Sequence, residues 1–141
     1  MAITGSDYTD ITAVAYADLS SKQFYIMRST GVDTSYSAGN LTCALCIGAS
    51  GGAASAKGVL QNDPSSYEAA IVRVVGVTKI VSGSTIEIGD LIACSTAGTA
   101  IISDTTGEWF FGKAESKSSA AGELVSVRLF GGVAPFMGST A

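Results

Sequence analysis

Short runs of apolar and β-branched residues, separated by turn residues, cover most of the chain. The strongest run spans residues 67–81, which are rich in Ile and Val and lie between Pro64-Ser65-Ser66 and Ser82-Gly83-Ser84. This composition between turn residues predicts strand. The run is too long for one flat strand, and Gly76 lies in its middle, where a residue without Cβ permits a bulge or a bend. We therefore expect two strands that turn a barrel corner at Gly76.

The same pattern predicts further short strands along the chain. They cover residues 23–29, 41–47, 90–95, 99–103, 108–114 and 123–130. Turn residues separate the later strands about every ten residues, a spacing that is typical of antiparallel β-barrels and sandwiches. Residues 48–57, almost all Gly, Ala and Ser, are predicted to form a loop. The expected fold is therefore all-β, a small antiparallel β-barrel or sandwich-like barrel.

The first twenty residues lack a clean strand period but carry large apolar and aromatic side chains. These are Ile3, Tyr8, Ile11, Val14 and Tyr16. A merely solvated tail would not need them, so we predict an extended arm over residues 1–20 that orders against a partner or a neighbouring protomer. The barrel domain then spans residues 21–135 and a short tail spans residues 136–141. The alternative is that the arm residues form an ordinary first strand of the barrel.

An internal repeat links two parts of the chain. The segment that begins at Gly58 can be aligned with the segment that begins at Gly112 if one residue is inserted. Four residues then recur 55 positions later: Glu68, Val72, Arg73 and Gly76 match Glu123, Val127, Arg128 and Gly131, while Leu129 takes the place of Val74. Alternation along a strand places each arginine on the face opposite its apolar neighbours. The repeat indicates either two pseudo-equivalent edges of one barrel or two hairpins that share only composition.

Charge and hydropathy exclude several classes of function. Only 14% of the residues are charged, the net charge is −4, and the eight Lys and Arg form no cluster, so nothing indicates nucleic-acid binding. The most hydrophobic stretch is interrupted by Arg73 and Lys79, and the N-terminus resembles no secretory signal. We thus expect no membrane span and synthesis in a cytoplasm. Such a sparsely charged surface also predicts a homotrimer, or burial against a partner.

Two motifs resemble catalytic or metal sites but lack the necessary chemistry. Ser50 lies in a G-x-S-x-G motif, yet the chain contains no histidine to act as its base. Cys43 and Cys46 form a C-x-x-C motif, but with Cys94 they supply only three of the four ligands of a structural zinc site. We predict three unpaired, mostly buried thiols. The sequence therefore indicates no enzyme, no cofactor, no metal and no small-molecule substrate.

Acidic residues beside turns have a simpler explanation than catalysis or calcium binding. Glu87 and Asp90 flank one turn, and Asp104 and Glu108 flank another. Carboxylates in such positions cap turns by accepting hydrogen bonds from backbone amides.

Residues 57–129 resemble the capsid cement, or head decoration, proteins of tailed bacteriophages. The likeness rests on the order of several short pieces: GVLQN from Gly58 with Pro64, AIVRVVGVTK from Ala70, IGDL from Ile88, FGKA from Phe111, and AGELV from Ala121 with Val127. Residues 17–31 are also similar to the first strand of that family. The resemblance covers about half of the chain.

This resemblance implies a small β-barrel, commonly trimeric, that adds to the outside of an icosahedral head. Its partners would be the major capsid protein and its own copies. It would be made in the host bacterial cytoplasm and located on the capsid exterior of the virion, and Ile3, Tyr8, Ile11, Val14 and Tyr16 would contact a capsid subunit or a protomer. A trimeric virion fibre or receptor-binding module is the alternative, although such a protein usually carries a stalk or a second domain.

Overall fold

The structure is a computed structural model that describes residues 8–32, 41–46, 48, 56–104, 106 and 108–135. These residues contain nine β-strands. None of the described residues belongs to a helix that could cross a membrane. The predicted all-β class is thus confirmed. Ile3, Ser50, most of the predicted loop over residues 48–57 and the predicted tail over residues 136–141 lie outside the described residues.

Most strands lie where the sequence predicts them, within two or three residues at each end. Their bounds are β1 Thr9–Ala15, β2 Ile26–Val32, β3 Leu41–Leu45, β4 Ala56–Leu60, β5 Ala69–Val81, β6 Leu91–Cys94, β7 Ala100–Ile102, β8 Trp109–Ala114 and β9 Leu124–Pro135.

The first five strands close into a barrel. Their order around the ring is β1, β3, β2, β4 and β5, and β5 pairs again with β1. The β1–β3 pair is parallel, through Val14 and Thr42, while the other four pairs are antiparallel. Closure leaves no free edge in this ring, since the first strand is paired on both sides.

A second ring shares β5 with the first. Its order is β5, β9, β8, β6 and β7. An isolated parallel bridge between Ser82, directly after β5, and Ala100 in β7 brings the last strand back to the first. The described chain is therefore a first barrel, made from β1 to the first half of β5, and a second barrel, made from the second half of β5 to β9.

Each barrel has its own apolar core. Successive residues of β2 and β4 point to opposite sides of the strand, so Met27 and Leu60 face the first core while Ile26 and Val59 face the second. The first core is small and contains Ala13, Ala15, Leu19, Met27, Cys43, Leu60, Ala70 and Val72. The second is larger and includes Ile80, Ile86, Ile92, Phe111, Val125 and Val127. The wall made by β2 and β4 thus belongs to both cores.

Strand β5 is one continuous strand, which corrects the prediction of two strands over residues 67–81. The predicted bend is present within it. Gly76 is buried and has φ of 102°, a value that L residues rarely adopt. Partners also change here, because Val75 is the last residue paired with β1 and the first paired with β9. The guanidinium Nη1 of Arg73 donates to the carbonyl of Val77 at 3.1 Å, which a straight strand would not allow.

The internal repeat corresponds to two hairpins with the same register. Val59 pairs with Arg73 in the first, and Lys113 pairs with Arg128 in the second. Gly58 precedes Val59 and lies against the backbone of Arg73, and Gly112 precedes Lys113 and lies against the backbone of Arg128. The predicted equivalence is confirmed, but the two copies lie in two adjoining rings and not on two edges of one ring.

The N-terminal segment contains a strand. Residues 9–15 form β1, which pairs with six residues of β5 and, in parallel, with β3. This is the alternative that the sequence left open, and it holds because alternate β1 residues fill the first core: Ala13 and Ala15 are fully buried there. Residues 9–15 therefore belong to the barrel and do not form part of the separate arm that the sequence predicted over residues 1–20.

Candidate interaction surfaces

The five predicted contact residues are not brought together by the fold. Ile3 lies outside the described residues. Val14 is only 7% exposed, and Ile11 packs against the first core, so neither is placed to contact a partner. Tyr8 and Tyr16 are 44% and 59% exposed. They lie at opposite ends of β1, which at about 3.3 Å per residue separates them by roughly 26 Å, so they belong to two different surfaces.

The first surface, which we call the outer face, lies on the solvent side of β5 and its neighbours. Val75 is paired with Thr9 on one side and with Phe130 on the other. Four apolar side chains here are between 38% and 49% exposed: Ile71, Val75, Val77 and Phe130. We define the outer face as these four residues with Tyr8 and Arg73. A row of apolar side chains on adjacent strands is a feature of interaction surfaces.

The arginine of the outer face is paired within the chain. Its Nε donates to Asp10 Oδ1 at 2.9 Å and its Nη2 to Asp10 Oδ2 at 3.4 Å. The guanidinium carbon lies 3.7 Å from the ring centre of Tyr8, a cation–π contact. With the Val77 carbonyl as a third acceptor, Arg73 is neutralised without any partner. The outer face can therefore be covered without burying an unpaired charge.

A shallow groove adjoins the outer face, with which it shares Arg73 and Val77. Its volume is about 350 Å³. Two of its lining residues are joined by a hydrogen bond, since the amide of Gln61 donates to Thr78 Oγ1 at 2.8 Å. The lining combines apolar and polar side chains: Phe24, Gln61, Arg73, Val77, Thr78, Lys79 and Ser126.

The second surface, which we call the tyrosine tip, lies at the other end of β1. Backbone hydrogen bonds join its two segments: the Tyr67 amide donates to Ala15 at 2.7 Å, and the Leu19 amide donates to Pro64 at 2.9 Å. Tyr67 is 42% exposed. We define the tip as Tyr16 and Tyr67 with three exposed acids, Asp18, Asp63 and Glu68.

The tyrosine tip is acidic in composition, and two of its three carboxylates accept hydrogen bonds from nearby serines. Hydrogen bonds from Ser20 hold the pKa of Asp18 below its usual value, and the Ser65 amide donates to Glu68 Oε1 at 2.8 Å. No lysine or arginine occurs in residues 15–21 or 62–69. The tip therefore combines two exposed phenol rings with negative charge.

None of the three cysteines forms a disulfide, and all three are buried, as predicted. The C-x-x-C pair is separated, because Cys43 faces the first core and Cys46 the second. Cys46 instead meets Cys94. A hydrogen bond with Cys46 and burial raise the pKa of the Cys94 thiol, and burial raises that of Cys43. Protonated, enclosed thiols are unreactive.

The predicted turn caps are present. The Glu87 amide donates to Asp90 Oδ2 at 2.8 Å, and the Asp104 amide donates to Glu108 Oε1 at 3.0 Å. Within the described residues no three His, Cys, Asp or Glu side chains come close enough together to hold a metal ion.

Sequence patterns alone did not find the outer face or Tyr67. The sequence predicts a strand over residues 67–81 but does not show that its alternate residues Ile71, Val75 and Val77 face solvent. Alternation within the run could have indicated the exposed face, but Val occupies both faces of β5, so hydrophobicity does not distinguish them.

Comparison with known proteins gives a likeness of fold. No protein-family model and no curated protein sequence matches the chain. A solved structure of the head fiber gp8.5 N base of bacteriophage phi29 superimposes with a TM-score of 0.62. It is 18% identical in sequence, and the match covers 88% of this chain and 95% of that one. The fold is therefore similar to that of a known phage head fiber base over nearly the whole of both chains.

Proposed function

We propose that the chain is a structural protein of a bacteriophage virion. It binds the outer surface of an icosahedral head as a homotrimer and fastens neighbouring major capsid subunits. The observation that carries this proposal is the fold shared with the phi29 head fiber base over 88% of the chain. The sequence resemblance to capsid cement proteins leads independently to the same part of a phage particle.

The surfaces of the protein suit this role. The outer face offers apolar side chains around an arginine that is already paired with Asp10, so it can be buried against another protein or another protomer. A trimer presents three copies of each contact, and modest contacts combine through high effective concentration. Separating capsid subunits under internal DNA pressure would then also break these contacts. The role requires no catalysis, cofactor, membrane or nucleic acid.

A second candidate is that the chain forms the base of a head fibre. The structural neighbour is itself described as the base of a head fiber, which specifically favours this alternative. A fibre base would bind the head in the same way but would present further protein outward. The two functions differ in what the bound protein does for the shell.

A binding experiment tests the proposal and separates the two functions. Purified protein is added to heads assembled from the major capsid protein of the genome that encodes this chain, and the heads are examined by cryo-EM and by thermal disruption. Cement function predicts trimers that bridge adjacent capsid subunits and heads that open at a higher temperature. Bound trimers that leave the opening temperature unchanged favour a fibre base. Heads that bind no protein contradict both.

A further inference from the structure

The two barrels provide an internal comparison, because backbone hydrogen bonds identify equivalent positions in them. The amide of residue 67 donates to Ala15 at 2.7 Å, and the amide of Gly122 donates to Ser82 at 2.8 Å. The amide of Tyr16 donates to Cys43 at 2.9 Å, as that of Gly83 donates to Ala100 at 2.7 Å. Tyr67 is thus equivalent to Gly122, and Tyr16 is equivalent to Gly83.

The backbone at position 67 requires glycine-like geometry. Gly122 has φ of 92° in the second barrel, where no side chain opposes that value. Tyr67 has φ of 66° at the equivalent position, a backbone conformation that is strained for a bulky residue. The turn itself does not need the ring, since the second barrel makes the same turn with glycine.

Both tyrosines of the tip are exposed and available to a partner. Tyr67 is 42% exposed and Tyr16 is 59% exposed, whereas the second barrel has glycine at both equivalent positions. Rigid aromatic rings on a surface bury large area at low rotamer cost when a partner covers them. The first barrel therefore carries an aromatic contact surface that the second barrel lacks.

Charge identifies the kind of partner. Asp18, Asp63 and Glu68 are exposed in the same two segments as the two tyrosines, and residues 15–21 and 62–69 contain no lysine or arginine. A cationic side chain that approaches these segments meets carboxylates and phenol rings, and both attract it. A carboxylate-bearing partner would be repelled.

We propose that the tyrosine tip is the surface that binds the major capsid protein, at a site on the capsid that carries lysine or arginine. This inference rests on the proposed function and adds to it the contact residues and the chemistry of the partner. It also gives the two barrels different tasks, because only the first barrel carries the tip.

The test uses the full chain and two substitutions in the tip, with heads as the probe. Tyr67→Gly gives position 67 the residue that its equivalent position has, so the protein should melt at the wild-type temperature or higher. Tyr16→Ala removes the other ring. Each variant should bind heads about ten-fold more weakly or worse. Ile88→Ala is the matched control, since Ile88 is 69% exposed on the second barrel, and it should bind as the wild type does.

Charge reversal tests the chemistry of the partner. Asp63→Lys should weaken head binding about ten-fold, whereas Glu87→Lys, on the second barrel, should leave it unchanged. Wild-type binding of heads by both tyrosine variants would overturn the inference while leaving the proposed function intact. A Tyr67→Gly protein that melts well below the wild type would also overturn it, because the ring would then be structural. Failure of the wild-type chain itself to bind heads would instead contradict the proposed function.

Discussion

Two glycines determine how closely the strands of each hairpin approach. A Cβ at Gly58 would overlap the carbonyl oxygen of Arg73, and a Cβ at Gly112 would lie 2.7 Å from Val127 Cγ1 and 2.8 Å from the Arg128 carbonyl. Neither glycine has a positive φ, so both are required because a larger residue would clash with the neighbouring strand. The internal repeat, which begins with these glycines, makes the equivalence visible in the sequence, but the backbone contact that requires them is visible only in the structure.

Replacing Gly58 should therefore destabilise the protein strongly. Gly58→Ala forces a methyl group into the Arg73 backbone, and we expect a loss of about 3 kcal/mol in the free energy of unfolding. Gly132→Ala is the control, because a Cβ there meets nothing within 4 Å, and it should change stability by less than about 0.5 kcal/mol. Chemical denaturation measures both. Equal stability of the two variants would contradict the close approach.

Glu123 should make the stability of the turn before β9 dependent on pH. Hydrogen bonds from the Ser119 amide at 2.8 Å and from the Ser119 hydroxyl hold the pKa of this carboxyl below its usual value. Because the pKa is lower in the folded state, the stabilisation is complete above the unfolded value of about 4.5 and is lost as the pH falls through the folded pKa. Glu123→Gln should lower the melting temperature at pH 7 and reduce the difference between pH 7 and pH 3. A difference as large as that of the wild type would exclude this role.

At the scale of the strands, β5 shows what the sequence could and could not predict. Its Ile and Val content predicts strand, and Gly76 predicts the bend, which the φ of 102° confirms. The sequence did not show that the hydrogen-bonded strand continues through the bend, because continuity depends on partners far away in the chain. β1 is hydrogen-bonded to β5 before Gly76, and β9 is hydrogen-bonded to β5 from Val75 onward.

Gly76→Val tests the bend directly. A β-branched residue is strained at φ of 102°, so we expect a loss of roughly 3 kcal/mol in the free energy of unfolding. Val77→Thr, one residue further and 38% exposed, should cost less than about 1 kcal/mol. Thermal and denaturant unfolding of the two proteins give the comparison. A Gly76→Val protein as stable as the Val77→Thr protein would show that the strand can straighten.

Strand β1 shows the limit of pattern analysis. Its residues Thr9–Ala15 alternate poorly, because Val14 is buried as well as Ala13 and Ala15. The inward positions hold small alanines since the first barrel is narrow and its core is already filled by Met27 and Leu60. A strand that contributes small residues to a narrow core has a weak apolar period, and the sequence therefore predicted an arm.

At the scale of the whole molecule, the sequence predicted one barrel with a repeated edge, and the structure has two barrels that share β5. The repeat detected in the sequence covers β4 to β5 and β8 to β9 only. The remaining equivalent elements, β2 with β6 and β3 with β7, share hydrogen-bonding geometry but little sequence. The parallel bridge Ala15–Cys43 in the first barrel, for example, corresponds to Ser82–Ala100 in the second. Such bridges are made by backbone atoms, so the residues at equivalent positions can differ in side chain and the sequence does not reveal that they are equivalent.

Because β5 belongs to both barrels, removing its first partner should affect the whole molecule. Deletion of residues 1–15 removes β1, which pairs with six residues of β5 and buries Ala13, Val14 and Ala15. The open first barrel exposes its core and one side of β5, so we expect loss of the cooperative melting transition, or a melting temperature lower by about 10 °C or more.

Deletion of residues 1–7 is the matched control, since it removes Ile3 and keeps every described strand pair. That protein should melt within about 2 °C of the full chain, and its binding to heads then measures whether Ile3 contacts the capsid. Far-UV circular dichroism during heating, together with hydrogen exchange of the β5 and β9 amides, distinguishes the outcomes. If the chain without residues 1–15 melts as the full chain does and its β5 amides stay protected, then β1 is an accessory strand and the first barrel does not depend on closure. If instead protection is lost in β5 and β9 together, the two barrels unfold as one unit through the strand that they share.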